Sequence, residues 1–150
     1  MRPHFRSEDL EIWQLAKQLA IKFHALAEQL DGRRLYRYAE QLRAAGLSLT
    51  NNIAEGSGST HAQEFKQFLN IRRRSLFEDA SMLMVFEALG LFGSSEIDDL
   101  LIDCDVLSRK ITNFSSQSNA RGEELTLACF SRFALRPLPF ALCPWGPWPP

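Results

Sequence analysis

Four stretches of this chain repeat an apolar residue every third or fourth position, and the first three end at breaks that contain glycine. That spacing is the period of an α-helix with one buried face, and it leaves little room for any other fold. Trp13, Ala16, Ala20, Phe23, Ala27 and Leu30 step 3-4-3-4-3 and predict a first helix over roughly residues 8–30, capped by Ser7 and stopped by Asp31-Gly32. Trp13 and Phe23 read as core. Leu35, Tyr38 or Ala39, Leu42, Ala45, Leu49 and Ile53 predict a second helix over roughly residues 34–56. Gly56 and Gly58 read as its termination rather than a phosphate loop, because no strand precedes them and the G-x-x-x-x-G-K-[ST] spacing is absent. Thr60 with Gln63 forms a candidate capping box, with Ser59 as a competing cap.

A third helix is expected over roughly residues 61–91, with Phe65, Phe68, Leu69, Leu76, Leu83, Phe86 and Leu89 inward. Arg72 falls on that stripe. An unpaired buried cation costs several kcal/mol, so Arg72 needs a carboxylate, and Glu78, Asp79 and Glu55 are the candidates. Ser94 or Ser95 caps a fourth helix over roughly residues 96–114, with Ile97, Leu100 or Leu101, Cys104, Leu107, Ile111 and Phe114 inward and Cys104 a small core residue. Three short connections between four amphipathic segments give an all-α, antiparallel up-down-up-down four-helix bundle over residues 1–114. Residues 115–150 read as an irregular tail rather than an independent domain. SSQSNARGEE is linker-like, and RPLPFALCPWGPWPP holds six of the seven prolines. Trp145 and Trp148 favour packing of that tail over full exposure.

At 150 residues with a formal net charge of -1, the chain suits one domain and lacks the high pI of proteins that coat nucleic acid by bulk charge. Local charge is uneven. Residues 33–74 hold eight bases (Arg33, Arg34, Arg37, Arg43, Lys66, Arg72, Arg73, Arg74) against three acids, whereas residues 75–105 hold eight acids and no base. The arginines fit either a solvated, ion-paired face or a partial diagonal stripe for phosphate, which oligomer symmetry would multiply into a ring. Three widely spaced cysteines without a C-x-x-C pair fit a reduced, cytoplasmic chain. The charged N-terminus is no secretion signal, and no segment is apolar enough to span a membrane. For metal chemistry, only His61 and Glu64, with Glu55 across the turn, come together, and no E-x-x-H pair occurs. No cofactor or catalytic set is expected.

The stretch QLRAAGLSLTNNIAEGSGS, over 41–59, concentrates small residues and isolated polar groups. Together with FRSEDLEIWQLAKQLA and EFKQFLNIRRRSLFEDASML it resembles the bacterial four-helix-bundle family named after proteins encoded in intervening sequences of large-subunit ribosomal RNA genes. The three blocks cover roughly residues 5–112. The matching motif residues are Trp13, Gln41, Arg43, Asn52, Glu55, Gly56, Glu64, Phe65 and Glu78. The chain departs at Thr50, where proline is usual, at Arg73-Arg74, where a small residue and glycine are usual, and throughout the tail. The resemblance implies a ring-like homopentamer, with RNA binding an inference from gene location. With no catalytic set in the sequence, the expected role is a non-enzymatic oligomeric scaffold that binds RNA or a nucleic-acid-handling protein, the alternative being a pure protein-interaction module. The resemblance extends distantly to the pentameric accessory proteins of diversity-generating retroelements, which partner a reverse transcriptase and nucleic acid. On this reading Asn52, Glu55 and Glu78 form a polar network between helices 2 and 3, or a subunit contact, and Arg33, Arg34, Arg37, Arg43, Arg72, Arg73 and Arg74 are the nucleic-acid-binding candidates.

Overall fold

The computed structural model describes the backbone of residues 1–133 and the side chains of residues 1–116. A short 3₁₀ turn, Arg6–Asp9, precedes four α-helices: α1 (Glu11–Gly32), α2 (Tyr36–Ser57), α3 (Ala62–Ala88) and α4 (Ser94–Phe133). No strand occurs among the described residues. Contacts divide the chain into Met1–Ser118, which holds the bundle, and Asn119–Pro150. The proline-rich end, including Trp145 and Trp148, lies outside the described residues.

Neighbouring helices run antiparallel. The α1–α4 contacts Glu11–Lys110 (2.7 Å), Lys22–Asp103 (2.5 Å) and Gln29–Glu96 (3.0 Å) ascend α1 while descending α4. The ring contact between Phe65 at the start of α3 and Phe114 well along α4, with the short connection from Ala88 to Ser94, fixes the same opposed direction for that pair. Four helices joined this way make the up-down-up-down bundle that the periodicity predicts.

The buried seam of α1 is Ile12, Ala16, Leu19, Phe23, Leu26 and Leu30, with Ala27 beside it. Apolar residues stand in adjacent pairs at 12/13, 19/20 and 26/27, so the period alone fits two faces. The structure buries Ile12 and Leu19 rather than Trp13 and Ala20, and buries both Leu26 and Ala27. For 19/20 the larger side chain goes inward, since burying a Leu gains about 1.5–3 kcal/mol and burying an Ala much less. Trp13 is thereby half-buried, with the Lys17 ammonium 5.1 Å from its ring centroid. Leu89, expected inward on α3, is exposed just past the helix end.

Two helix ends use the same closure. Gly90 has a left-handed φ of 65°; its N–H donates to Glu87 O and that of Leu91 to Phe86 O. This is the paired Schellman pattern, and glycine adopts it without strain. At the end of α1 the same bonds run from Arg34 to Asp31 and from Leu35 to Leu30, but Arg34 itself takes the left-handed φ of 62°. Asp31-Gly32 therefore marks the end of α1 without supplying its left-handed residue, and Arg34 bears a cost of about 1 kcal/mol.

Gly56 is not a terminator. It lies inside α2, where a Cβ would come within 2.6 Å of the Phe65 ring and 2.8 Å of Phe68 Cβ. The glycine is there because α3 crosses closely at that point. Gly46 serves the α1 side in the same way, with Ala20 Cα 3.1 Å from where its Cβ would be.

Ser7 lies in the 3₁₀ turn, and α1 starts only after Leu10, with no side-chain cap. His61 rather than Ser59 or Thr60 is the N-cap residue of α3; the Ser59 hydroxyl accepts the His61 N–H at 3.2 Å and bonds the Glu64 carboxylate. The expected linker at 115–124 is instead a continuation of α4. It carries no proline, and a single Gly122 costs a helix only about 1 kcal/mol.

Candidate functional site

The seven arginines do not share one surface. Arg72 is 1% exposed and sits in the core, so it is unavailable to a phosphate, contrary to its place in the expected basic stripe. Arg43 is half-buried and ion-paired with Asp31; hydrogen bonding to that carboxylate is the main force holding its guanidinium pKa up. Arg33 donates to Leu91 O and so ties the α1–α2 corner to the α3–α4 corner. Arg34, Arg37 and Arg74 are exposed and Arg73 is half-buried. Arg72 bonds Ser48, so the three-arginine run lies at the level of Ser48, about 16 Å along α2 from Arg37 at ~1.5 Å per residue. The basic groups left facing water form two separate pairs, Arg34 with Arg37 and Arg73 with Arg74.

The α3 seam explains Arg72. Phe65, Leu69, Arg72, Leu76, Asp79, Leu83 and Phe86 are its buried residues, spaced 4-3-4-3-4-3 with charges at two positions. Arg72 Nη2 pairs with Asp79 Oδ2, and Arg72 Nη1 reaches Ser48 Oγ on α2 at 3.3 Å. Of the three candidate carboxylates only Asp79 lies a whole heptad from Arg72, on the same face; Glu78 is turned by about 100° and is exposed. Arg72 Nε has no partner among the described residues. Burial pushes the Arg72 pKa down and the Asp79 pKa up, each opposed by attraction to the other. Burial in the same core pushes the nearby Cys104 thiol up to about 12, with a lesser contribution from the charge of Asp79. Cys104 is the small core residue its spacing predicts.

Among the described residues no hydrogen bond or ion pair links Asn52, Glu55 and Glu78 to one another. Asn52 Nδ2 donates to Ser48 O at 2.8 Å and to Ser48 Oγ at 3.1 Å, both within α2. Glu55 and Glu78 point to the surface. Ser48, which the sequence did not single out, therefore joins Asn52 to Arg72 and connects α2 to α3. Its position four residues before Asn52 is the helical spacing that could have found it.

Beside Glu55 and Glu78 the outer α2–α3 face exposes Leu47, Ile71 and Val85. Ile71, Glu78 and Val85 repeat at seven residues and so form one stripe. Among the described residues no group of three or more His, Cys, Asp or Glu side chains is placed to hold a metal ion, and Glu64 is engaged by Ser59. No described helix is long and apolar enough to cross a membrane.

The family profile for 23S rRNA-intervening sequence proteins matches residues 8–113, spanning all four helices of the bundle. The chain belongs to that family. No curated protein matches it. Of the motif residues that carry the family likeness, Gly56 and Phe65 meet at the α2–α3 crossing, whereas Glu55 and Glu78 reach solvent. The likeness thus joins packing positions to a surface stripe.

Proposed function

We propose that this chain is a non-enzymatic, cytoplasmic scaffold that self-associates, as the ring-like homopentamer its family resemblance implies, and holds RNA or a nucleic-acid-handling protein. The observation that carries self-association is the outer α2–α3 face. Leu47, Ile71 and Val85 are large apolar side chains at the surface, flanked by Glu55 and Glu78, and such a mixed stripe suits a contact with a polar rim. Closing a ring repeats Arg73 and Arg74 once per subunit, and phosphate affinity grows with the number of charges neutralised.

A purely protein-binding role is favoured by one specific feature: burial of Arg72 removes a charge from the stripe on which the RNA reading leaned. Filter binding with structured RNA at low salt separates the two. The RNA reading expects retention that falls steeply with salt and drops in Arg73→Ala/Arg74→Ala. Absence of retention, or retention indifferent to that variant, leaves the protein-binding role. Sedimentation as a monomer at low and high salt alike overturns self-association in both.

A further inference from the structure

A second surface lies between α3 and α4, on residues the scaffold reading does not use. Phe77, Ala80 and Met84 of α3 face Leu101, Asp105 and Ser108 of α4 across a groove of about 220 Å³, floored by Leu76 and Cys104. Phe77 and Met84 are 63% and 53% exposed. They stand one heptad apart, so both rings of contact open to the same side. Two adjacent side chains of that size at the surface, over an apolar floor, present anchoring positions for a helix laid along the groove.

The charge around the groove identifies what kind of helix. Asp105 lines it, and Asp98, one heptad earlier, continues the same stripe of α4 past Leu101. Glu87 follows Met84 by three residues on α3. The counter-charges are few and lie toward one end: Arg109 pairs with Asp105 at 2.7 Å with both side chains exposed, and Arg73 precedes Phe77 by one turn. Residues 75–105 carry eight acids and no base. An apolar slot rimmed by acid excludes an RNA backbone. It also disfavours a symmetric contact of two copies through this face, which would set Asp98 and Asp105 against their own counterparts.

We infer that the α3–α4 groove is a docking site for a basic amphipathic helix of a partner protein, two apolar residues of which seat against Phe77 and Met84 while flanking Lys or Arg side chains meet Asp98, Asp105 and Glu87. This deepens the scaffold reading without depending on RNA contact: filter binding can fail while this groove still holds its helix, and the reverse.

Fluorescence anisotropy with the full chain tests it. The probe is a labelled designed helix with Leu along one face and Lys elsewhere; the control carries Glu for every Lys. The expected result is binding by the Lys peptide that weakens with salt and loses about tenfold or more in Asp98→Lys/Asp105→Lys and in Met84→Glu. These residues are exposed, so circular dichroism should show all variants folded. Equal binding of the two peptides, or affinity unchanged in both variants, overturns the inference. So does an oligomer that Met84→Glu dissociates to monomers, since a second copy of the chain would then occupy the groove.

Discussion

Arg72 and Asp79 place a charged pair in the core of the fold. Removing one partner strands the other, so Arg72→Met or Asp79→Leu alone should destabilise by about 3–5 kcal/mol. Replacing both, as Arg72→Met/Asp79→Leu, should be neutral or stabilising by about 1–4 kcal/mol, because an apolar pair needs no desolvation and leaves no unpartnered Nε. Urea denaturation of the four proteins forms a double-mutant cycle, and additive losses would show that the pair is not coupled. The directions agree with the titration shifts: burial raises the Asp79 pKa and lowers that of Arg72, each toward the neutral form.

Among the elements, the α2–α3 crossing and the N-terminal arm are the most exposed to test. Gly56→Ala gains roughly 1 kcal/mol of helix propensity but drives a methyl into Phe65 and Phe68. The clash should win, with a net loss of about 1–3 kcal/mol in thermal or urea melts. The arm is held differently. Arg6 Nη1 donates to Ser57 O at 3.1 Å, at the C-terminal end of α2, where a cation is favoured. Within the arm, Glu8 accepts the Phe5 N–H and pairs with Arg2, and these contacts hold its pKa below the ordinary glutamate value, the Phe5 bond most of all. A depressed carboxylate stabilises above its unfolded pKa and loses that contribution as pH falls through the folded one. The amide protection factors of residues 5–10, corrected for the intrinsic pH dependence of exchange, should therefore fall below the usual glutamate range, and a Glu8→Gln variant should show the lower protection already at neutral pH.

The helices were legible because their stripes are long and regular, and the rotation of α1 was not, because adjacent apolar residues at 12/13, 19/20 and 26/27 satisfy one period twice. Arg72 was legible as a charge in need of a partner, and its spacing picks out Asp79 once the seam is known to be a strict heptad. Gly56 was misread because glycine at a helix end and glycine at a crossing look alike in one dimension. Asn52, Glu55 and Glu78 suggested a network through their company in the sequence. Whether polar groups on two helices meet depends on a rotation that spacing within each helix does not fix.

At the scale of the molecule, Cys104 reports how tightly the bundle stays closed. Cys104 is 4% exposed and its thiol is pushed up to about 12, so in the folded state it presents neither access nor thiolate. Iodoacetamide at pH 8, followed by peptide mapping, should leave Cys104 protected by a factor of about a thousand or more until urea unfolds the bundle, given an ordinary global stability of about 5–15 kcal/mol. Rapid native labelling would show that α4 opens away from α3 on its own. Such opening would also widen the α3–α4 groove, whose floor Cys104 shares with Leu76.

The Arg72–Asp79 pair has both members on α3. A salt bridge between helices must wait for two segments to meet in register before either charge is compensated. Here one helix carries its own counterion, so α3 can shed water as an electrically neutral unit while its neighbours are still assembling. The charges then set less of the pairing between helices than their depth suggests. What they fix is the roll of α3 about its own axis, because turning the pair outward would withdraw Leu69, Leu76 and Leu83 from the core along with it.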